Sequence, residues 1–209
     1  DVRTGLRVDR DDLAEETIVS PRLSANWRVS DNAEVVFTAG RYHQSPRFND
    51  RASDPDNVLE NEITDQLSVG LSYMLRPDLE VLVEPYYQNL SNLIVQSDGV
   101  SKRYSNTGEG RSWGVDTALI KRFGNGWSAN MNYSYNNAEI KDTAGSAFYD
   151  ADFHRPHSFS IGGVWEINDR WQVSARYKWA SGTPHDAFII HDNVLGDGQI
   201  LRFSKEHTS

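Results

Sequence analysis

The chain has 209 residues, 38% of them hydrophobic and 24% charged, and a formal charge of −9. That acidic balance argues against a nucleic-acid binder, whose footprint is basic, and the absence of cysteine removes disulfides, thiol nucleophiles and cysteine zinc sites. Mean hydropathy is −0.62 and no apolar run reaches the ~18 residues of a spanning helix, which excludes a transmembrane helix but leaves a β-barrel open, because alternating strands average out polar.

Strand periodicity recurs along almost the whole chain. It opens at 1–9, inside a strand-like stretch with no signal peptide, so the chain reads as processed or as a piece of something longer. In 17–29 the apolar set is Leu23, Ala25, Trp27 and Val29, against Ser24, Asn26 and Arg28. Further strands are expected at 33–43, at 62–75 (Leu67, Val69, Leu71, Tyr73), at 79–96 and at 103–122. The segment 127–140 alternates Trp127, Ala129, Met131, Tyr133 and Tyr135 with Ser128, Asn130, Asn132 and Ser134. The last two, 157–167 and 170–181, carry Phe159, Ile161 and Trp165, then Trp171, Val173, Tyr177 and Trp179.

The connections alternate in kind. Tight turns fall at Ser30-Asp31-Asn32, Arg76-Pro77-Asp78, Gly124-Asn125-Gly126 and Asn168-Asp169, where residues that tolerate or fix the required φ are concentrated. Longer polar segments, at 10–16, 44–61, 97–102 and 141–156, join the other ends. An antiparallel meander with one trimmed and one elaborated end is the pattern of an outer-membrane barrel. The aromatics agree with it. Trp27, Tyr73, Phe123, Trp127, Trp165 and Trp171 sit near short turns, while Tyr87, Tyr133, Tyr135, Phe159, Tyr177 and Trp179 lie toward the long-loop ends. Two belts bracketing an aliphatic middle place the apolar face in lipid and the Ser/Asn face on a wet or plugged lumen. A soluble β-sandwich explains the alternation but neither the belts nor the alternating turn lengths.

About nine strands is an odd count, whereas single-chain bacterial barrels have even ones. After Gly182 no clear returning strand is expected, although "AFIIHD" and "QILRFS" could form short strands in an external loop. The expectation is therefore an all-β antiparallel transmembrane β-barrel, present as a fragment cut at both ends.

Several stretches carry a family likeness. "YSNTGEGRSWGVDTAL" (104–119) has an Asn-x-Gly segment followed by Gly-Val-Asp, and "LEVLVEPYYQNLSNLIV" (79–95) has Tyr-Tyr and an Asn-Leu-Ile ending. "FHRPHSFSIGGVWEINDRWQVSARYKWASGTPH" (153–185) ends in Ser-Gly-x-Pro, and "GRYHQSPRF" (40–48) leads into a long loop. In this order they resemble the C-terminal part of the barrel of TonB-dependent outer-membrane receptors. The resemblance implies that 1–209 is a partial barrel domain, about nine strands of a 22-stranded barrel that surrounds an N-terminal plug. It places the plug and roughly ten strands before Asp1, and about three strands after Ser209. It also implies the outer membrane of a Gram-negative bacterium and uptake of a scarce nutrient, such as an iron-siderophore, cobalamin or an oligosaccharide. The partners implied are outer-membrane lipid, the plug, and an inner-membrane energy-coupling complex reached through the plug. The alternatives are a passive porin-like channel and a soluble glycan-binding sandwich.

No catalytic constellation stands out, and no enzyme, cofactor or metal site is expected. His154 and His157 are three apart, but Pro156 and an extended backbone disfavour a preorganised metal pair; His157 is expected to bond neighbouring loop backbone. Glu80, Glu84, Glu109 and Asp116 are expected on the lumen wall, paired with Arg28, Arg176 and Lys178. Ligand contact is expected at loop tips mixing aromatics, His and Arg: Tyr42, His43, Arg47 and Phe48, with His154, Arg155 and His185.

Overall fold

A computed structural model describes residues 1–12, 16–53, 58–96, 104–190 and 203–208, the segments 185–190 and 203–208 by their backbone. The strands are β1 (Val2–Asp11), β2 (Glu16–Ser30), β3 (Ala33–Gln44), β4 (Glu62–Arg76), β5 (Leu79–Gln96), β6 (Tyr104–Gly124), β7 (Trp127–Lys141), β8 (Tyr149–Asp150), β9 (His157–Asn168) and β10 (Trp171–Ala180). They form one antiparallel sheet in sequence order, with two-residue β8 hanging on the outer end of β7. The sheet is open, with β1 and β10 as its edges. Each expected strand is present within a few residues.

Two features depart from the expectation, and a third realises the short strands foreseen after Gly182. The segment 44–61 contains a short helix, α1 (Phe48–Ser53), started by Asp50 and Arg51 amides donating to the Arg47 carbonyl. Six residues are too few for helical periodicity to register in a sequence. The segment 141–156 folds back through β8 onto β7, with Ala151 N–H donating to the Ala138 carbonyl. Beyond Gly182 a separate hairpin forms from β11 (His185–Ile190) and β12 (Phe203–Thr208). Segment 97–102 lies outside the described residues.

Short turns close one end of the sheet. At Asn125-Gly126 both residues have positive φ, 53° and 80°, the pairing whose twist matches a two-residue hairpin. At the Pro77-Asp78 turn the Lys121 ammonium lies 2.7 Å from Asp78 Oδ2 and 4.8 Å over the Trp127 ring, and its side chain is only 6% exposed. The lysine shares the outward face of β6 and bends its charge to the turn. Its hydrogen bond holds the Asp78 carboxyl below the ordinary carboxylate range.

One face of the sheet is apolar and open. Leu67, Val69, Leu71 and Tyr73 of β4 are each exposed, and so are Trp127, Met131, Ile161, Trp165, Val173 and Tyr177. The buried apolar core is correspondingly small, confined to residues such as Ile18, Leu59, Ala138 and Ala151. Water could not tolerate so large an apolar face; lipid can. On β6 this face carries Trp113, Val115, Thr117 and Leu119 between Arg111 and Lys121. The two charges are ten residues apart, which at ~3.4 Å per residue and a tilt of ~40° gives a band of ~25 Å, the height of a barrel's lipid-facing belt.

The register is consistent with that tilt. One continuous row of paired residues runs Trp27–Val35–Leu71–Val83–Thr117–Tyr133–Phe159–Trp179. It begins beside a short turn and ends at the long-loop side. Seven steps of ~4.8 Å make ~34 Å, which climbs ~22 Å at that tilt. The inner and outer aromatic belts are thus two ends of a single ramp.

Candidate functional site

The polar face is assembled by the same alternation. In its middle, Glu84 of β5 lies directly opposite Asp116 of β6, and Asp116 accepts a hydrogen bond from Ser134. Like charges in register disfavour a strand pair, so this is a place where the wall is built for something other than its own stability. Lys178 and Arg155 line the same cavity, of about 720 Å³. The expected ion pairing is different from that observed. Glu80 pairs with Arg122 and accepts from Ser72. Glu109 pairs with Lys141 at 2.8 Å on the outward file that holds Arg111, not on the lumen wall. Among the described residues Arg28, Arg176 and Lys178 form no ion pair, which leaves them available to whatever fills the lumen.

A second polar-face cavity, of about 590 Å³, opens at the long-loop end of β1–β3. Ile18 and Ser20 form its buried floor. Beyond the last β2–β3 pair, Arg22↔Gly40, the strands part and His43 Nδ1 shares a hydrogen bond with Ser20 Oγ at 3.1 Å. Tyr42 folds back over Gly40, where an added Cβ would lie 3.1 Å from the Tyr42 hydroxyl. This places the ring under the Arg22 guanidinium, 4.9 Å from its centroid. Arg7 is held by both carboxylate oxygens of Asp9, and Arg51 by Asp11 at 3.2 Å. Arg22, by contrast, has no carboxylate within ion-pair distance among the described residues.

Asp11 ties the rim together, accepting from Ser45 Oγ, Arg51 Nη2 and Asn61 Nδ2. Asn61 is 1% exposed, and its Oδ1, like Arg51 Nε, is buried without a hydrogen-bond partner among the described residues. The cavity presents the Arg22 guanidinium and the Tyr42 ring beside the paired carboxylates of Asp9 and Asp11, a cationic plane that can meet a ligand's anionic oxygens.

Of the residues expected at ligand contact, Tyr42, His43 and Phe48 line this cavity, Phe48 being 83% exposed. Arg47 is exposed beside them and caps α1 with its carbonyl. His154 is elsewhere and buried, 3.2 Å from Asp150, its Nε2 without a partner among the described residues; Arg155 borders the Glu84/Asp116 cavity. The His185 side chain lies outside what is described. His157 bonds the Tyr133 hydroxyl through Nδ1 at 2.9 Å, while its carbonyl accepts from the Ser181 N–H of the neighbouring loop at 2.9 Å. Sequence reasoning missed Arg22, Asp11, Arg51 and Asn61. Arg22 was detectable as the charged member of the inward file Ser20, Arg22, Ser24; Asn61 required knowing where a loop returns. Among the described residues no three His, Cys, Asp or Glu side chains group to hold a metal ion.

The expected interface aromatics are on the outward face. Trp27, Tyr73, Trp127, Trp165 and Trp171 are exposed toward the short turns, and Tyr133 and Trp179 toward the loops. Tyr135 is half-buried between Trp113 and His157. Trp113, 43% exposed, joins the outer belt unforeseen.

An open-walled sheet with a lipid-facing belt and a charged inner face is the wall of a transmembrane β-barrel. A family model described as "TonB dependent receptor-like, beta-barrel" matches residues 1–196, and the chain belongs to that family. Solved structures agree in fold. The outer membrane transporter YddB from Escherichia coli superposes with a TM-score of 0.75 at 14% identity, covering 92% of this chain and 32% of that one. The copper transporter OprC gives 0.66 at 18%, covering 88% and 31%. The FrpB iron transporter from Neisseria meningitidis gives 0.66 at 14%, again covering 88% and 31%. The chain thus spans about a third of the length of these structures. No match was found among curated proteins.

Proposed function

We propose that this chain is a barrel segment of a nutrient receptor in the outer membrane of a Gram-negative bacterium. In the complete protein, a plug lies against the Glu84/Asp116 wall and couples uptake to an inner-membrane energy source. The cavity at the outer end of β1–β3 takes the nutrient. The observation that carries this reading is Arg22, a guanidinium with no carboxylate within ion-pair distance among the described residues, laid over Tyr42 beside His43 at the loop end of the polar face. A cation so placed favours an anionic ligand, such as a metal chelate with carboxylate or catecholate oxygens, over a neutral sugar. Transport of iron and copper by structural neighbours supports the same class.

The test is energy-dependent accumulation of iron-55, supplied as ferric citrate and as a ferric catecholate, by cells carrying the intact receptor. Losing a charge-assisted hydrogen bond costs ~1.5–3 kcal/mol, so Arg22→Ala is expected to raise the half-saturating concentration ~10- to 100-fold with the maximal rate retained. Unchanged half-saturation for every anionic chelate transported, or transport of neutral oligosaccharide alone, would overturn the reading.

A further inference from the structure

The outer ends of β5 and β6 break register in two compensating steps. Leu90 pairs with Gly110 but Leu93 with Gly108, an extra residue on β5; Val95 then pairs with Ser105, an extra residue on β6. Asn92, within the first step, has a φ of 57°, the left-handed region that Asn tolerates better than most residues. Between the steps sits Gly108, where any Cβ would lie 2.7 Å from Val95 Cγ1 and 2.9 Å from the Leu93 carbonyl. Only glycine fits there without moving backbone.

Asn106, two residues earlier, spends its whole amide on this irregularity. Its Nδ2 donates to the Asn92 carbonyl at 2.9 Å and the Glu60 carbonyl at 3.0 Å, and its Oδ1 accepts from the Glu60 N–H at 2.9 Å. Asn92 Nδ2 donates in turn to Glu60 Oε2, and the Ile94 N–H to Glu62 Oε1. Four hydrogen bonds therefore fasten Glu60 and Glu62, on the returning limb of the loop after β3, to β5 and β6, and the bond from Asn106 to the Asn92 carbonyl ties β6 to the displaced β5. The residue between, Asn61, points the other way and donates to Asp11 and Glu16. Asp11 also holds Arg51 of α1.

We infer that the Asn106-Thr107-Gly108 segment is a latch, and that Asn106 is a positioning residue for the β1–β3 cavity. Gly108 admits the displaced β5 backbone. Asn106 locks the displaced strand to the loop's returning limb, and Asn61 transmits that placement to the Asp11–Arg51 rim. The cavity wall is a fixed shelf held from two sides. This role rests on the reading of that cavity as the nutrient site.

The test is hydrogen–deuterium exchange of the intact receptor in outer-membrane vesicles, with heat-modifiable electrophoretic mobility reporting assembly. Asn106→Ala is expected to speed exchange of 58–62 at least tenfold and to speed exchange of the Asp50 and Arg51 amides with it, while 109–119 and 129–141 stay protected. Thr107→Ala, which loses the bonds to the Asp142 carbonyl and the Ser105 hydroxyl but none to residues 58–62, is expected to leave 58–62 unchanged. If Asn106→Ala fails to assemble, Asn106→Ser takes its place. Unchanged exchange at 58–62 would overturn the latch. Acceleration spreading through β6 and β7 would make Asn106 an ordinary strand-stability residue, and acceleration stopping short of Asp50 and Arg51 would end the positioning role. Iron-55 uptake on the same variant separates the two readings. A latch that opens with half-saturation unchanged overturns the cavity as nutrient site and leaves the latch standing.

Discussion

At the scale of single residues, neighbours along a strand live in different solvents. Met131 is exposed on the apolar face between Leu119 and Ile161, whereas Asn130 faces the polar side near Arg176 and Gly162. Met131→Arg in the intact receptor is therefore expected to cost ~2–4 kcal/mol near the bilayer midplane. Asn130→Arg is expected to be tolerated several-fold better, with the folded fraction on heat-modifiable gels as the measure. Equal yields would reverse the face assignment. This alternation was fully legible beforehand, because period two needs no tertiary knowledge. The partners of individual charges were not. Glu109 finds Lys141 directly opposite it, and Glu80 reaches Arg122 diagonally, two residues past its own partner Ile120. Sequence spacing within one strand carries no information about the facing one.

At the scale of elements, the turns do what their residues dictate. Gly126 has a φ of 80°, and a Cβ there would lie 3.3 Å from the Glu166 carbonyl. Gly126→Ala is expected to cost ~1–2 kcal/mol, the penalty of a left-handed conformation for an L-residue. It should appear as a lower urea midpoint with unchanged slope when the receptor unfolds from vesicles; an unmoved midpoint would mean the hairpin adopts another turn. Strand bounds were readable because tight turns announce themselves with Asn, Gly, Asp and Pro. Helix α1 and strand β8 were not, since they exist only by docking: α1 through Arg51 on Asp11, β8 through Tyr149↔Ile140. The Asn-x-Gly segment was visible as a motif. Its latch role needed the bulge opposite, which appears in the register alone.

At the scale of the whole molecule, the outward face fixes a depth for each tryptophan. Trp27, Trp127, Trp165 and Trp171 stand near the short turns, Trp113 and Trp179 near the loops, and Met131 and Ile161 between them. Lipids brominated close to the headgroup are therefore expected to quench single-tryptophan versions of the receptor at all six positions. Lipids brominated near the bilayer centre should quench them weakly, and a Met131→Trp version strongly. Strong central quenching at Trp165 or Trp179 would contradict the ~25 Å belt. The polar face shows the opposite economy. Among the described residues Glu84, Asp116, Lys178 and Arg28 form no ion pair, although Glu84 and Asp116 stand opposite each other.

The climbing row from Trp27 to Trp179 has a bearing on how such a wall is made. Each hairpin that zips onto its predecessor in the observed register arrives displaced along the membrane normal by a fixed increment. Neighbour pairing alone therefore acts as a depth gauge, and a growing sheet needs no separate means of finding the bilayer. A slip of two residues in one hairpin would keep every side chain on its proper face, yet raise or lower all later strands together. The error would show itself far away, as a belt sheared out of plane at the closing seam.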